Sequence, residues 1–484
     1  MMDALHARWP VLMSLMHVGL AAAVTLHAVL YKRETASVIA WVGMAWLAPF
    51  IGSLAYVGFA INRVKRRVLT ESLRAGWLAD SSARAGASTC PSRDRATVTA
   101  YPPLRGLAML GERLTARPLR SGNRIDVLES GDEAFPAMIA AVDNACRTVT
   151  LLTYIFDNDR AGTAFHDALV RALHRGVSVR VLIDAVGARY TRPTMVTRLH
   201  KANVPVAAFR PARGWRRLQY ANLRNHRKLL VVDGEVGFTG GLNIREGHWL
   251  SLTPAAPVSG LHFRFKGPVV ADLQRAFAID WAFVTGERLT GAAWFALQPA
   301  CGTVAARGIT NGPDEDLNHT AEIVLGALSV ATRSVRIVTP YFVPDEVLLR
   351  APRVAAMRGV AVDIVVPAHS NIPVCDWARE TLLPDLLESG CRVHLTPLPF
   401  DHTKLFVVDG LWALVGSTNW DARSLRLNFE FDIECHDATL AQRLDAQVNA
   451  RIALARPVQI EVLRTQPLLV RLRNGLARLL SPYL

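Results

Sequence analysis

Two short stretches of this chain pair a histidine with a lysine two positions later, and in each an aspartate follows after four apolar residues. The two sets are His226, Lys228 and Asp233, and His402, Lys404 and Asp409. Two imidazoles and two ammonium groups suit a phosphodiester. One neutral histidine can attack phosphorus, while the other, protonated, donates to the leaving oxygen.

A turn of small residues that ends in asparagine follows each aspartate. The two turns are Gly240-Gly241-Leu242-Asn243 and Gly416-Ser417-Thr418-Asn419. From histidine to asparagine is 17 positions in both copies (243 − 226 and 419 − 402). A single His-x-Lys pair is ordinary, but two copies with matching His, Lys, Asp, Gly and Asn at one spacing indicate a duplicated site.

The roles within each copy follow from strand geometry. Residues i and i+2 of a strand point to one face, so His226 and Lys228 are expected to project together, as are His402 and Lys404. We expect the lysines and asparagines to hold the non-bridging oxygens and the charge that develops on them. That chemistry requires no metal and no other cofactor. The aspartates lie at the far end of the apolar run, where a supporting role is expected.

The surrounding pattern predicts an α/β protein. Short apolar runs such as 124–128, 148–155 and 177–183 alternate with amphipathic stretches, an order typical of βαβ units whose helices cover a sheet. The second half repeats the order. We therefore predict two similar lobes, at residues 121–300 and 301–460, packed so that both His-Lys-Asp sets form one bilobal catalytic unit.

Charge and cysteine content narrow the classes of partner. The chain has 55 Lys and Arg against 41 Asp and Glu, a formal charge of +14, which predicts an anionic partner such as a membrane surface, phosphorylated substrate or nucleic acid. The six cysteines are scattered without a C-x-x-C pair. They indicate neither a disulfide framework nor a zinc site.

Residues 1–67 are predicted to form a transmembrane hairpin. Helices at about 11–31 and 36–61 are each long enough for a hydrocarbon core that takes roughly 20 apolar residues. A basic cluster at residues 63–67 outweighs the two basic residues of the loop, Lys32 and Arg33. By the positive-inside rule the catalytic part is then cytoplasmic.

Two further segments complete the predicted organisation. Residues 68–120 are expected to be a linker, because 79–100 is small, polar and without apolar periodicity. Residues 461–484 form a basic tail in which 468–480 reads as an amphipathic helix. Such a helix either lies in an anionic membrane interface or packs as an ordinary terminal helix with solvated arginines.

The paired motifs resemble those of the phospholipase D superfamily and, within it, the bacterial cardiolipin synthases. The resemblance rests on residues 222–233 (NLRNHRKLLVVD), on residues 416–430 (GSTNWDARSLRLNFE), on Tyr154-Ile155-Phe156 and on the N-terminal hairpin. It implies a phosphatidyl transfer at the bacterial inner membrane, in which phosphatidylglycerol phosphatidylates one histidine and a second phosphatidylglycerol accepts the group, giving cardiolipin and glycerol. In the family the N-terminal histidine, here His226, is generally the nucleophile, and His402 acts as acid and then base.

The resemblance also implies a carboxylate that orients a histidine ring. Glu430 lies 28 residues after His402 (430 − 402), where relatives place it. The corresponding region of the first half, residues 259–262, holds no acidic residue. On this basis His402 has the better-supported surroundings, and what orients His226 stays open.

Other functions remain open on sequence alone. A phospholipase D would pass the phosphatidyl group to water, and another donor or acceptor alcohol would change the product. The charge permits a nuclease, but the two apolar spans argue against a nucleic acid partner. A lipid-binding scaffold with a dead site is disfavoured by intact His, Lys and Asp in both copies. Oligomeric state is not specified by the sequence.

Overall fold

The computed structural model describes residues 2–32, 35–60, 102–209, 222–314 and 316–484. These residues divide into two compact units, one with the N-terminal helices and one with nearly everything from Pro102 onward. The predicted linker residues 79–100 lie outside the described part of the chain.

The N-terminal unit is helical. It contains α1 Met2–Tyr31, α2 Thr35–Leu47, α3 Pro49–Ala55 and a π-helical turn Tyr56–Ala60. Within the described residues, one helical segment, Arg8–Tyr31, is long and apolar enough to cross a membrane. The predicted second span is broken at Ala48, because Pro49 lacks an N–H and its ring obstructs a continuous helix. The hairpin therefore stays a prediction.

The large unit is built on one long mixed sheet. Its order is β20-β14-β13-β11-β16-β17-β19-β10, continuing as β1-β9-β7-β6-β2-β3-β4, with β5 attached to β19. The strands are β1 Arg120–Glu129, β2 Thr148–Thr153, β3 Ser178–Asp184, β4 Val206–Phe209, β5 Arg224–Asn225, β6 Leu229–Val232, β7 Val236–Gly240, β8 Val258–Ser259, β9 Leu261–Lys266, β10 Val304–Asn311, β11 Ser334–Val338, β12 Phe342–Val343, β13 Ala361–Pro367, β14 Arg392–Thr396, β15 Phe400–Asp401, β16 Leu405–Val408, β17 Trp412–Gly416, β18 Trp420–Asp421, β19 Asn428–His436 and β20 Arg456–Pro457.

The strand order is the same on the two sides of the β1–β10 pair. On one side β2 pairs in parallel with β3 and antiparallel with β6; on the other β11 pairs in parallel with β13 and antiparallel with β16. Antiparallel pairing of β1 with β10 joins the two series. The motif strands β6 and β16 are thus interior, which is why each is a continuous apolar run.

Helices cover both faces of this sheet, as the predicted βαβ alternation requires. They are α4 Pro102–Thr115, α5 Ser130–Asp143, α6 Arg160–His174, α7 Met195–Lys201, α8 Val270–Thr285, α9 His319–Val330, α10 Glu346–Met357, α11 Pro373–Glu380, α12 Leu383–Glu388, α13 Ala422–Arg426, α14 Ala438–Leu454, α15 Ile460–Arg464 and α16 Leu468–Arg478. Among the described residues, one buried apolar cluster is built around Phe135, Phe165 and Phe238, and another is built around Phe342, Phe406 and Trp412.

The predicted linker was wrong in its last part. Residues 102–115 form helix α4, which begins at a proline, where the missing N–H is not needed. Leu104 and Leu107 lie three positions apart on one helical face, and both are buried in the second of these clusters. β1 then starts at Arg120, so the predicted lobe boundary at 121 agrees with the onset of the sheet.

Candidate active site

Both histidines lie just before a motif strand, and each is tied to chain from the opposite half. β5 pairs in parallel with β19, and the His226 N–H donates to the Phe429 carbonyl at 2.9 Å. In the same way β15 pairs with β8, and the His402 N–H donates to the Ser259 carbonyl at 2.9 Å. This crossed pairing brings the two copies of the motif to one site.

His226 is oriented by Glu430. Its Nδ1 lies 2.9 Å from Oε1 and 3.1 Å from Oε2 of that carboxylate, which is 0% exposed. Ser417 and Ser424 hydroxyls also donate to Glu430, as does the Asn428 amide at 3.2 Å. The expectation that His402 has the better-supported surroundings is therefore wrong. In the sequence Glu430 is nearer to the His402 motif, but the crossed pairing of strands places it beside His226.

His402 has a carbonyl where His226 has a carboxylate. Its Nδ1 lies 2.7 Å from the Gly241 carbonyl oxygen and 3.1 Å from the Lys404 Nζ. Ser259 and Phe429 are equivalent positions, because the carbonyl of each accepts the N–H of a motif histidine. The residue after Phe429 is Glu430, and the residue after Ser259 is Gly260, which has no side chain. The acidic residue that the sequence lacks in the first half is thus missing beside His402, not beside His226.

The two motif lysines are buried and share the site. Lys228 Nζ donates to the His226 carbonyl at 2.7 Å, and Lys404 Nζ donates to the His402 carbonyl at 2.9 Å. Burial lowers the pKa of Lys228 to about 7, against the opposing charge of Glu430. Burial and then the Lys228 charge hold the pKa of Lys404 well below its usual value. Two ammonium groups in one buried site favour an anionic occupant.

The surroundings of both histidines disfavour the protonated imidazole. Burial lowers the pKa of His226 to about 4; the Glu430 charge opposes this shift, and Lys228 and Lys404 add to it. Burial, followed by the Lys404 charge, keeps the pKa of His402 well below its usual value. Glu430 stays ionised: burial alone would raise its pKa, but His226 and Lys228 outweigh that effect and lower it.

The small-residue turns place matched polar groups beside the site. Asn243 and Asn419 are buried, and each leaves its side-chain Oδ1 without a protein partner. The glycines before them allow close strand approach, since a Cβ on Gly240 would lie 2.8 Å from the His262 Cα, and one on Gly416 would lie 2.4 Å from the Phe431 carbonyl oxygen. Buried polar atoms without partners are uncommon and indicate a place for a ligand.

The motif aspartates lie away from the histidines. The Asp233 carboxylate accepts backbone N–H groups of Cys146, Arg147 and Thr148 at 2.7–2.9 Å, at the start of β2. Asp409 does the same with residues 332–334 at the start of β11. Each aspartate lies five positions after its lysine, about 16 Å along an extended strand. These contacts fit the expected supporting role.

Aromatic and imidazole side chains border the histidines. The Tyr154 ring lies 5.1 Å from that of His226, and the Tyr341 ring lies 6.1 Å from that of His402, so both tyrosines are walls of the site. The His248 ring lies 5.9 Å from that of His402, and burial lowers its pKa to about 3. His248 belongs to neither repeated motif, so the sequence does not single it out.

These contacts define a class of site. Two neutral imidazoles, two lysines and two amide groups converge in a buried pocket with one ionised carboxylate behind a ring. That set can bind a phosphodiester, attack it with one histidine and exchange protons with the other. Among the described residues no group of His, Cys, Asp and Glu is arranged to hold a metal ion.

Known proteins share this organisation. The family described as "Cardiolipin synthase, PLD-like domain" matches residues 138–253 and again 324–452. A cardiolipin synthase of Geobacillus sp. (strain WCH70) is 30% identical over 461 residues, 94% of this chain and 90% of that enzyme. The major cardiolipin synthase ClsA of Bacillus subtilis (strain 168) is 33% identical over 365 residues, 75% of this chain and 76% of that enzyme.

A solved structure agrees in fold. The phosphatidylserine synthase of Haemophilus influenzae Rd KW20 superimposes with a TM-score of 0.59 at 15% identity, covering 77% of this chain and 100% of that one. The site and fold define a phosphatidyltransferase of the phospholipase D type. More narrowly, the chain belongs to the family of cardiolipin synthases with phospholipase D-like domains.

We predict that Glu430→Gln lowers kcat by about 10²- to 10⁴-fold, because the ring of His226 loses the charge that orients it and stabilises its cationic form. Glu434→Gln is the matched control: Glu434 is equally buried on the same strand, but it pairs with Arg307. Turnover of labelled phospholipid per folded molecule is the measurement. Equal losses in the two variants would mean that Glu430 only stabilises the fold.

We predict that Asp233→Asn destabilises the protein without removing the chemistry. One of three backbone donors, of which Thr148 is buried and the other two are partly buried, loses its acceptor, at a cost of about 1–3 kcal/mol in the free energy of unfolding. Glu235→Gln, which alters only an exposed partner of Arg147, is expected to cost less than about 1 kcal/mol. Thermal unfolding compares the two. A stable but inactive Asp233→Asn protein would contradict the supporting role.

Proposed function

We propose that this enzyme transfers a phosphatidyl group from one phosphatidylglycerol to another, giving cardiolipin and glycerol through a phosphohistidine on His226. The observation that carries the assignment is the Glu430 contact at Nδ1 of His226. That contact leaves Nε2 as the nucleophile, and the carboxylate stabilises the cationic ring that forms once Nε2 is bonded to phosphorus.

In the first step Nε2 of His226 forms a bond to phosphorus, and the bond from phosphorus to the glycerol oxygen breaks. His402 gives a proton to that oxygen, and glycerol leaves. The acid must be protonated although burial and the Lys404 charge depress its pKa. An anionic phosphate beside His402 raises that pKa by charge attraction, so the substrate itself promotes the protonated form.

In the second step a hydroxyl of the second phosphatidylglycerol attacks phosphorus, and the bond to His226 breaks. Neutral His402 accepts the hydroxyl proton through Nε2, because its Nδ1 is held by the Gly241 carbonyl. Lys228 and Lys404, with the Nδ2 groups of the Asn243 and Asn419 amides, donate hydrogen bonds to the non-bridging oxygens in both steps. Water in place of the second lipid would give phosphatidic acid, the phospholipase D alternative.

We infer that residues 121–300 and 301–460 are two related lobes of one catalytic unit. The matching strand orders, the separate apolar clusters around Phe238 and Phe406 and the double match to one family description support this division. The crossed pairing of β5 with β19 and of β15 with β8 supports a single shared site. Phospholipid substrates follow from the family; the oligomeric state is left open.

We also propose that the chain resides in the bacterial inner membrane through a two-span hairpin at residues 1–67, with the catalytic part cytoplasmic. The apolar segment Arg8–Tyr31 supports one span. The apolar helices at residues 37–47 and 49–58, although interrupted, together supply the length for a second. The basic residues at 63–67 support the orientation.

We predict that the purified full chain converts labelled phosphatidylglycerol to cardiolipin and glycerol, and that His226→Ala and His402→Ala each abolish this conversion. Mass spectrometry of the lipid products is the measurement. The two variants should differ before that end point. With His402→Ala, protein quenched in alkaline denaturant should carry label on His226, formed more slowly because the leaving glycerol lacks its acid, whereas His226→Ala should carry none. Phosphatidic acid as the sole product would overturn the synthase assignment in favour of hydrolysis.

We predict opposite locations for reporters fused at two points of the N-terminal segment. A reporter after Arg67 should be cytoplasmic and one after Glu34 periplasmic, because two spans place the loop and the catalytic part on different sides. Alkaline phosphatase and green fluorescent protein fusions report the two compartments. The same location for both fusions would leave one span, and exchanged locations would reverse the orientation.

A further inference from the structure

Helix α16 exposes a row of leucines on the side that faces away from the protein. Leu468, Leu472, Leu476 and Leu480 recur every fourth residue, so they lie along one face of the helix. The buried Asn474 and Ala477 mark the opposite face. We call the exposed set the leucine face; its members, between 51% and 79% exposed, are Leu468, Leu469, Leu472, Leu476, Leu479 and Leu480.

Arginines border the leucine face. Arg471 and Arg478 are exposed on the same helix. In the last 25 residues (460–484) the arginines outnumber the single acidic residue, Glu461; they are Arg464, Arg471, Arg473 and Arg478. A contiguous apolar strip flanked by cations is the pattern of a helix that lies in an anionic membrane interface. A soluble surface rarely keeps so many leucines together.

The helix cannot turn its leucines inward, because its other side is anchored. The Asn474 amide donates to Glu380 of α11 at 2.7 Å, and the Arg473 guanidinium lies 4.7 Å from the centre of the Trp377 ring on the same helix. Arg464 pairs with Glu388 at 2.5 Å. The exposure of the leucine face is therefore a fixed property of the fold.

The elements that anchor this segment also border the active site. α11 follows Asn371, which accepts a hydrogen bond from the hydroxyl of Tyr341, the wall beside His402. At the other end, the carbonyl of the terminal Leu484 accepts the N–H of Arg423, on the short helix α13 that also carries Ser424 beside Glu430.

Two exposed apolar side chains lie close in sequence to residues that border the active site. Ile372 follows Asn371, and Leu398 lies in the turn before Phe400, whose ring is 5.8 Å from that of His402. Exposed apolar side chains thus occur beside the rim of the site as well as on α16.

We propose that the leucine face docks on an anionic phospholipid bilayer and holds the rim of the active site against it. The inference rests on the proposed function, since a phosphatidyl donor resides in such a bilayer. The arginines approach the lipid phosphates while the leucines enter the interface. A second copy of the chain is the other possible occupant of an apolar face, and the bordering arginines favour the lipid.

The test uses the full chain in nanodiscs and compares two triple variants. Leu468→Asn/Leu472→Asn/Leu476→Asn alters the leucine face, and Leu297→Asn/Val354→Asn/Met357→Asn is the matched control, because those three side chains are also exposed. Hydrogen exchange of residues 468–480 is expected to slow by about fivefold or more in phosphatidylglycerol discs relative to phosphatidylcholine discs. The control should keep this protection, and the leucine-face variant should lose it.

Turnover provides a second readout. The leucine-face variant is expected to need an about fivefold higher mole fraction of phosphatidylglycerol for half-maximal rate, while its rate on dispersed short-chain phosphatidylglycerol stays that of the control. Equal exchange in the two kinds of disc would overturn the proposal. A leucine-face variant that loses only self-association, measured by light scattering, would assign the surface to a second copy. Lipid-dependent protection without any turnover would support the surface and reject the proposed function.

Discussion

The arrangement of this site depends on one buried carboxylate. Burying an ionised group without partners costs several kcal/mol, and Glu430 is compensated by His226, Ser417, Ser424 and Asn428. The same residue is tied through its backbone, because its carbonyl accepts the Arg227 guanidinium at 2.9 Å. Glu430 therefore links His226 in the first half to the turn and the helix α13 that follow His402 in the second half.

Electrostatics make this site a poor place for positive charge. Lys228, Lys404 and both histidines have depressed pKa values with burial as the first cause; Glu430 opposes the shift at His226 and at both lysines, joined by Asp184 at Lys228 and by Asp401 and Asp421 at Lys404. An anionic phosphate relieves this imbalance of charge. The same electrostatic attraction therefore binds the substrate and promotes the protonated form of His402. Rigid strands and glycine-permitted close contacts hold these groups before the substrate arrives, as preorganised catalysis requires.

Much of this could be read from the sequence, because the signals were local. The repeated spacing from His226 and His402 identified the motif strands, and apolar alternation identified the sheet. Long-range contacts could not be read in that way. The position of Glu430 in the sequence says nothing about which strand it will face, so its assignment to the nearer histidine was wrong. Helix α4 was missed because its leucines follow a long polar stretch and are stabilised by tertiary contacts.

The crossed pairing of strands between the two halves has a consequence for the chain while it is being made on the ribosome. The first half leaves the ribosome with His226 already present, but the carboxylate that orients this ring lies 204 residues further along the chain. A partly made chain thus holds His226 without the charge that orients its ring. Chains that end before β19 lack this carboxylate, and the site is complete only when β19 joins its neighbours in the sheet.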